Sequence, residues 1–281
     1  MKLALVAFSD KQEFRLQIKA EMAKRGHQCD ILYFSLLPIT KDVVETTFQV
    51  LKQYDVVHFV LGFNVELAKV LQEKLVGSGV VCPNQCTGIT NLNDKVIQMV
   101  SMSRAGVPIP VSARLMNPNP DEVAALLGFP FVLKEPVGSK GKQVVLCTRE
   151  KFDENIKTNR EYLGQEFVNY IADYRVHVIG EKTFCIYERI APAGDFRANV
   201  SLGGAMKKVT DTELLTDLSE LALRAARALS VDYGGIDIIR DKDGKLLVLE
   251  FNSNPGFKNV TDITGVPFYV PIVDYYESLI S

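Results

Sequence analysis

The chain has 281 residues, 47% of them apolar and 23% charged, with a formal net charge of −2. That length exceeds what one compact core usually holds and suits two or three small lobes. The near balance of charge excludes a dedicated nucleic-acid binder, which needs a visible surplus of Lys and Arg to neutralise phosphates.

The opening run MKLALVAF is too short for a signal peptide or a membrane span, and no later stretch reaches about twenty apolar residues. A cytoplasmic protein with neither a membrane nor a nucleic-acid partner is expected. Residues 3–8 (LALVAF) read as a buried strand. From Gln12 to Arg25 a helix places Phe14, Ile18 and Met22 on one face, and Gly26 ends it. Residues 55–61 (DVVHFVL) read as a second buried strand, followed by a helix over Leu67 to Leu75. This alternation predicts an α/β lobe with a parallel sheet. No GxGxxG follows the first strand, which counts against an ordinary dinucleotide-binding domain.

A second region starts near Asn91, with a helix over 94–105 closed by Pro108 and Pro110. Strands at 130–134 (PFVLK) and 143–147 (QVVLC) flank a glycine-bearing loop, and a further strand lies near 183–189 (TFCIYER). A long polar connection, Ala191 to Asp211, then holds three glycines, a length usually tied to function. The next helix opens with Thr210 and Glu213 at capping-box spacing and carries an apolar stripe of Leu214, Leu218, Leu221, Ala222 and Ala225. Five scattered cysteines, Cys29, Cys82, Cys86, Cys147 and Cys185, lack zinc-ribbon spacing and read as free, mostly buried thiols. His58 and His177 sit in apolar strands and read, with His27, as structural. The aromatic group Phe268, Tyr269, Tyr275 and Tyr276 reads as terminal packing.

Two segments carry chemistry. GIDIIR and LLVLEF flank the turn Asp241-Lys242-Asp243-Gly244. If Arg240 pairs with Lys245 across an even-numbered loop, Asp237 faces Val248, and Val248, Glu250 and Asn252 share its side of the hairpin. Two carboxylates and an amide oxygen then converge, a set of hard oxygen ligands that suits Mg²⁺. A solvent-facing polar surface without metal is the alternative, and an odd loop would separate the groups. The second segment is Lys134-Glu135-Pro136-Val137-Gly138-Ser139-Lys140-Gly141-Lys142, where glycines let backbone N–H groups approach phosphate. It is not a Walker A loop, and by itself reads more readily as a flexible, solvated hairpin tip. Lys134 differs, because it ends the apolar run FVL.

Taken in order, Asp94-Lys95, FPFVLKEPVGSKG, Gln165-Glu166-Phe167-Val168, Asp173-Tyr174-Arg175, Glu188-Arg189, Gly194 to Asn199 (GDFRAN), Gly203-Gly204, Gly235-Ile236-Asp237 and LEFNSNPG resemble the ATP-grasp superfamily and, within it, the RimK-like ligases. The resemblance runs from about Leu92 to Gly256 and is weaker over the amino-terminal lobe. It implies an α/β chain of α+β lobes: an amino-terminal Rossmann-like parallel-sheet lobe over 1–90, a central ATP-grasp subdomain over 91–165 and a carboxy-terminal one over 166–281. It also implies roles. Lys95 and Lys134 would contact ATP phosphates, and Gly138, Ser139, Lys140 and Gly141 would fold over the triphosphate. Glu166, Phe167 and Val168 would form the linker that reads adenine, and Asp173 would meet the ribose. Asp237, Glu250 and Asn252 would hold Mg²⁺ or Mn²⁺, two ions in all. Arg197 would steady an acyl phosphate, with Asn199 and Arg189 holding phosphate or substrate.

The implied activity is an ATP-dependent carboxylate–amine ligase that joins glutamate or another amino acid to a peptide, a carrier protein or a coenzyme through an acyl phosphate. A noncatalytic ATP-binding regulatory module and an ATP-grasp phosphotransferase are the other readings. The resemblance suggests a homodimer or homotetramer. Two departures bear on the acceptor: the stretch between Glu166 and Asp173 is shorter than in the ribosomal-protein-modifying member of the family, and Lys142-Gln143 replaces a more typical apolar–glycine pair.

Overall fold

A computed structural model describes residues 1–7, 13–33, 40–60, 65–84, 94–137, 144–191, 205–253, 255–257 and 260–281. The first apolar run forms strand β1 (Lys2–Ala7), and its unbroken hydrophobicity follows from burial on both faces. It is flanked by β2 (Gln28–Tyr33) and β3 (Val56–Val60) in the order β2-β1-β3, every pair parallel. Helices α1 (Glu13–Lys24) and α2 (Lys41–Leu51) make the crossovers, and α3 (Val65–Val76) follows β3. The sequence reading reached the parallel sheet but passed over β2 and α2. β2 is half-exposed, and α2 is rich in β-branched Val and Thr, which depress helix propensity. The α2 start is set instead by Thr40, whose hydroxyl accepts from the Val43 N–H.

Helix α4 (Lys95–Arg104) begins at Asp94, whose carboxylate accepts from the N–H groups of Val96 and Ile97. An antiparallel sheet follows in the order β4-β7-β5-β6, from β4 (Ser112–Met116), β5 (Phe131–Lys134), β6 (Val144–Cys147) and β7 (Glu161–Glu166). Helices α5 (Pro120–Leu127) and α6 (Phe152–Asn155) bury Val123, Leu127 and Phe152 with Leu115, Phe131 and Leu133 of this sheet.

The largest sheet has five strands in the order β10-β9-β8-β11-β12, all antiparallel. They are β8 (Tyr170–Ile179), β9 (Lys182–Ile190), β10 (Ala205–Lys208), β11 (Tyr233–Asp241) and β12 (Leu246–Asn252). Strand β10 lies inside the segment expected to be a polar connection, so its far end is sheet rather than loop. Helix α7 (Thr212–Ala228) is capped by Asp211, not by Thr210 as the spacing suggested. The Asp211 carboxylate accepts from the Glu213 and Leu214 N–H groups, and its charge complements the positive helix end. Leu218, Leu221, Ala222 and Ala225 of α7 cover Val176, Val178, Ile236 and Ile238; on the opposite face charged residues lie beside a second apolar cluster that includes Cys185, Tyr187 and Tyr233.

The chain closes with α8 (Val260–Thr264) and α9 (Tyr269–Ser278). Ile272, Val273 and Tyr276 of α9 share one core with Leu3, Leu5, Ile18 and Met22 of the amino-terminal lobe, so the terminal aromatics are packing residues as expected. At the seam His58 Nδ1 meets the Tyr276 hydroxyl at 2.6 Å. Asn84 accepts from the N–H groups of Asp232 and Tyr233 and donates to the Tyr233 carbonyl. Cys29, Cys147 and Cys185 are buried and Cys82 is half-buried, while Cys86 lies outside the described residues. Among the described residues, no helix is long and apolar enough to cross a membrane.

Candidate active site

The acidic hairpin reaches its geometry by a route the sequence reading did not foresee. Arg240 pairs with Leu246, not Lys245, so the loop is one residue longer than assumed. Asp241 fastens that loop: its carboxylate accepts from the Asp243 and Lys245 N–H groups, and its own N–H bonds to the Lys245 carbonyl. This register alone would put Asp237 and Glu250 on opposite faces. A β-bulge between Asp237 and Ile238 restores the alignment, so that Asp237 pairs with Glu250 and Gly235 with Asn252. Asp237, Glu250 and Asn252 do share a face; Val248 pairs with Ile238 and belongs to the apolar side, a correction to the expected grouping.

Register places a continuous row across this polar face: Lys208, Tyr187, Arg175, Asp237 and Glu250, one from each strand. The next row contains Met206, Arg189 and Asp173. Asp237 is 3% exposed and bound by two guanidinium groups. Arg175 donates to both its oxygens, from Nε to Oδ1 and from Nη2 to Oδ2 at 3.0 Å, while Arg189 Nη1 reaches Oδ2 at 2.9 Å. Arg189 also donates from Nε to Asp173 Oδ1 at 2.9 Å, and Arg175 from Nη1 to the Pro255 carbonyl at 2.8 Å. The glycine at 235 makes room for this arrangement. A Cβ there would lie 2.6 Å from Pro255 Cβ and 2.9 Å from Arg175 Cδ.

Burial opposes the Asp237 charge, but Arg175 and Arg189 outweigh it and hold this carboxyl below the ordinary range. Asp173 goes the other way: burial pushes it up to about 6, against Arg189 and with the help of the Asp237 charge. Two neighbouring carboxyls are therefore driven apart in acidity by their surroundings, a pattern common where groups bind or move charge.

Lys134 faces this cluster from the four-stranded sheet. Burial lowers the pKa of its ammonium group, Glu250, Asp237 and Asp173 support the charge, and Lys95 opposes it, so all four groups lie near enough to Lys134 to act on its charge. Lys134 donates to Gln165 Oε1, and Gln165 in turn donates to the Ser112 hydroxyl at 2.9 Å. Lys95 opens α4, with its N–H on the Pro136 carbonyl. Glu166 ends β7, and its carboxylate accepts from the Val111 N–H at 2.8 Å; Phe167 and Val168 continue from there. Helix α4 is tied to β12 by Gln98, which donates to the Phe251 carbonyl and accepts from its N–H. Gly138, Ser139, Lys140, Gly141, Arg197 and Asn199 lie outside the described residues.

Arg175 and Gln165 received no role from sequence, although both stood in quoted motifs. The signal was present for Arg175: it shares strand parity with Asp173, and a buried Asp237 demands a cation on the neighbouring strand. Gln165 gave no such sign, because a polar residue inside a strand reads as surface until the partner lysine is known to be buried.

The donor set fits a hard divalent cation. Asp237 and Glu250 offer carboxylate oxygens, and Asn252 on the same face would add an amide oxygen. Its Nδ2 lies 3.1 Å from Glu250 Oε1 and 3.5 Å from Asp237 Oδ2, and rotation of the amide exchanges nitrogen for oxygen.

Known proteins bear on this geometry. The RimK-like ATP-grasp domain family matches residues 92–276. A protein of Coxiella burnetii (strain Dugway 5J108-111) named "Probable alpha-L-glutamate ligase" is 30% identical over 300 residues, covering 99% of this chain and 95% of its own. A Haemophilus influenzae (strain ATCC 51907 / DSM 11121 / KW20 / Rd) protein of the same name is 28% identical, with coverage of 99% and 97%. Among solved structures, the ATP-grasp ligase PsnB with a minimal precursor, Mg and ADP superposes with a TM-score of 0.74 at 17% identity, covering 99% of this chain and 97% of that one. D-alanine–D-alanine ligase from Bacillus anthracis gives 0.71 at 18%, covering 100% and 98%. With these matches, and with a buried lysine set near paired carboxylates, the chain belongs to the RimK-like ATP-grasp family and is an ATP-dependent, ADP-forming carboxylate–amine ligase.

Proposed function

We propose that this ligase adds an α-amino acid, with L-glutamate the first candidate, to the carboxylate of a peptide, carrier protein or coenzyme by way of an acyl phosphate. The observation that carries this reading is the arrangement of charge. Asp237, Glu250 and Asn252 converge on one sheet face, with Asp237 kept ionised, while Lys134 and Lys95 lie close enough to this group for their charges to interact. The names of the Coxiella and Haemophilus relatives support glutamate as the amine, and PsnB, solved with a precursor peptide, supports a peptide as one class of acid.

A free carboxylate resists an amine because oxide is a poor leaving group. In the first step a carboxylate oxygen bonds to the γ-phosphorus of ATP, the bond to the β,γ-bridging oxygen breaks, and ADP departs. In the second step the neutral amine attacks the acyl carbon, the bond to the phosphate oxygen breaks, and the amine proton leaves with the released phosphate. Two divalent ions, Mg²⁺ or Mn²⁺, held by Asp237, Glu250 and Asn252 would supply charge neutralisation for the phosphates. The chain's own cations do the rest by position. Lys134, steered by Gln165, and Lys95 meet the triphosphate. Glu166, Phe167 and Val168 form the adenine linker, and Asp173 reaches the ribose once its pairing with Arg189 loosens. Arg175 and Arg189 hold Asp237 in place, and Arg189, once freed from Asp173, joins Arg197 and Asn199 in meeting phosphate or substrate. Gly138, Ser139, Lys140 and Gly141 close over the phosphates and exclude water, which would hydrolyse the anhydride.

The test is phosphate release with ATP and Mg²⁺, scanning α-amino acids against peptides and acidic metabolites, beside Glu250→Gln. That substitution keeps shape and spares the Arg–Asp network. Release that needs an acid and an amine together and yields ADP is expected, falling by about 10²-fold or more in the variant. Release that proceeds with one substrate alone, or a product that retains phosphate, would overturn the reading.

A further inference from the structure

The outer edge of β12 is closed by a side chain and a loop carbonyl. Among the described residues β12 is the last strand of the five-stranded sheet, so backbone groups on its far side point away from β11. Two places on that side are satisfied by α4 and the segment after it. The Val248 N–H donates to the Pro108 carbonyl at 2.9 Å. Further along, Gln98 takes both backbone groups of Phe251. Its Nε2 donates to the carbonyl at 3.2 Å, and its Oε1 accepts from the N–H at 2.9 Å. One amide thus makes the pair of bonds that a neighbouring strand would make. Gln98 and Phe251 are only 2% and 3% exposed, so water has no ready access to take the place of the amide.

Phe251 stands between Glu250 and Asn252, and Asn252 is the last residue of β12. Its ring lies in the apolar core with Met99 and Met102 of α4, while its two neighbours face the other way, toward Asp237. The end of an edge strand is where a sheet frays first, and here that end carries two of the three oxygen donors. The helix that holds it is itself fixed. Asp94 caps the Val96 and Ile97 N–H groups, and Lys95, one turn before Gln98, donates its N–H to the Pro136 carbonyl at 2.9 Å. The first turn of α4 therefore bridges the segment just after β5 to the end of β12.

We propose that Gln98 is a positioning residue for the metal ligands: by holding Phe251 it keeps Glu250 and Asn252 aligned with Asp237 and fixes their place relative to Lys95. Its chemistry suits the task. An apolar side chain of the same size would fill the space and leave the strand end untied. A neutral amide ties it without adding a charge that would compete with the carboxylates for a cation. Gln98 acts through Phe251, so the assignment rests on the ligand set proposed above.

The experiment measures Kd for ADP by calorimetry twice, with Mn²⁺ and with a chelator, on wild type, Gln98→Leu, Gln98→Glu, Glu250→Gln and Tyr276→Phe. The ratio of the two constants is the gain that the metal confers on the nucleotide, and it needs no turnover. Gln98→Leu should cut this gain about tenfold, the scale seen when a group that orients metal ligands is lost, while Kd with chelator rises no more than about threefold. Gln98→Glu keeps the acceptor for the Phe251 N–H and should lose about threefold, which carries the test alone if Gln98→Leu does not fold. Tyr276→Phe removes a buried hydrogen bond far from these ligands and should leave the gain unchanged, a split that loss of stability by itself would not produce. A gain in both Gln98 variants equal to that of wild type would overturn the role of Gln98 alone. A wild type without any gain, or Glu250→Gln with the full gain, would overturn the ligand set and with it the role built on it.

Discussion

Apart from neutral His177, the polar residues buried on the five-stranded sheet carry full charges, whereas those at the seam with the amino-terminal lobe are neutral except for Asp232. Asp173, Arg175, Arg189 and Asp237 are all at most 9% exposed and form an alternating chain of carboxylates and guanidinium groups. At the seam, by contrast, His58 meets Tyr276, and Tyr275 meets Asp232, in bonds that need no ion on the first pair and one on the second. The difference follows from what each region must do. A charged cluster is costly to desolvate and stable only when every partner is present, but it can exchange one partner for a charged ligand. Neutral hydrogen bonds cost less to bury and fix two lobes in place without that option.

The widest gap between the two regions should appear on removing one cation. Arg189→Met leaves Asp173 without its salt-bridge partner and Asp237 with only Arg175, so it should destabilise the chain by roughly 3–5 kcal/mol in urea unfolding. A loss under about 1 kcal/mol would mean that Arg175 and solvent take over both carboxylates, and that the cluster is not interlocked. Tyr276→Phe is the matching test at the seam. It removes one hydroxyl, leaves buried His58 Nδ1 unpaired, and should cost about 1–3 kcal/mol without altering KM for ATP. An equal cost for both substitutions would erase the distinction drawn here.

Much of this was legible from residue order because alternation and apolar runs are local. β1, β3, β5, β9 and α7 announced themselves through long hydrophobic patterns, and the acidic hairpin through two carboxylates in otherwise apolar strands. The bulge at Asp237 was not legible. An extra residue in the loop and an extra residue in the strand cancel in the final facing of Glu250 and Asn252, so the expected convergence arose from a wrong register. Nothing in LLVLEF marks Leu249 as the residue without a partner. Arg175 illustrates a second limit: its parity could be read, but its partner lies 62 residues away on another strand. The cap of α7 shows a third, since Thr210 and Asp211 both suit the role and only the backbone decides between them.

His177 belongs to neither network, and it sharpens the contrast at the smallest scale. It lies on the polar face of β8, two residues after Arg175 and opposite Gly235, yet it is 1% exposed and its two ring nitrogens have no hydrogen-bond partner among the described residues. Phe257, Tyr187 and Phe184 surround it, with ring centroids 5.5, 5.8 and 5.9 Å away. Burial pushes its pKa down to about 3, Arg175 and Arg189 push the same way, and only Asp237 opposes them. At pH 7 the imidazole is neutral folded and mostly neutral unfolded, so His177→Leu should change stability by less than about 1 kcal/mol, because no bond is lost and apolar contact is kept. Acid should separate the two proteins. Between about 6.5 and 3 the unfolded chain binds a proton at this histidine and the folded chain does not, so wild type loses stability as pH falls. Leucine has no such linkage, while His58 and Asp173 titrate in both proteins and cancel in the difference. The advantage of the variant should therefore grow by about 2 kcal/mol between pH 7 and pH 5, read from paired urea melts. A difference that stays flat over that range would show that the folded protein admits a proton to His177, which would make this ring part of the charged network rather than a neutral plug beside it.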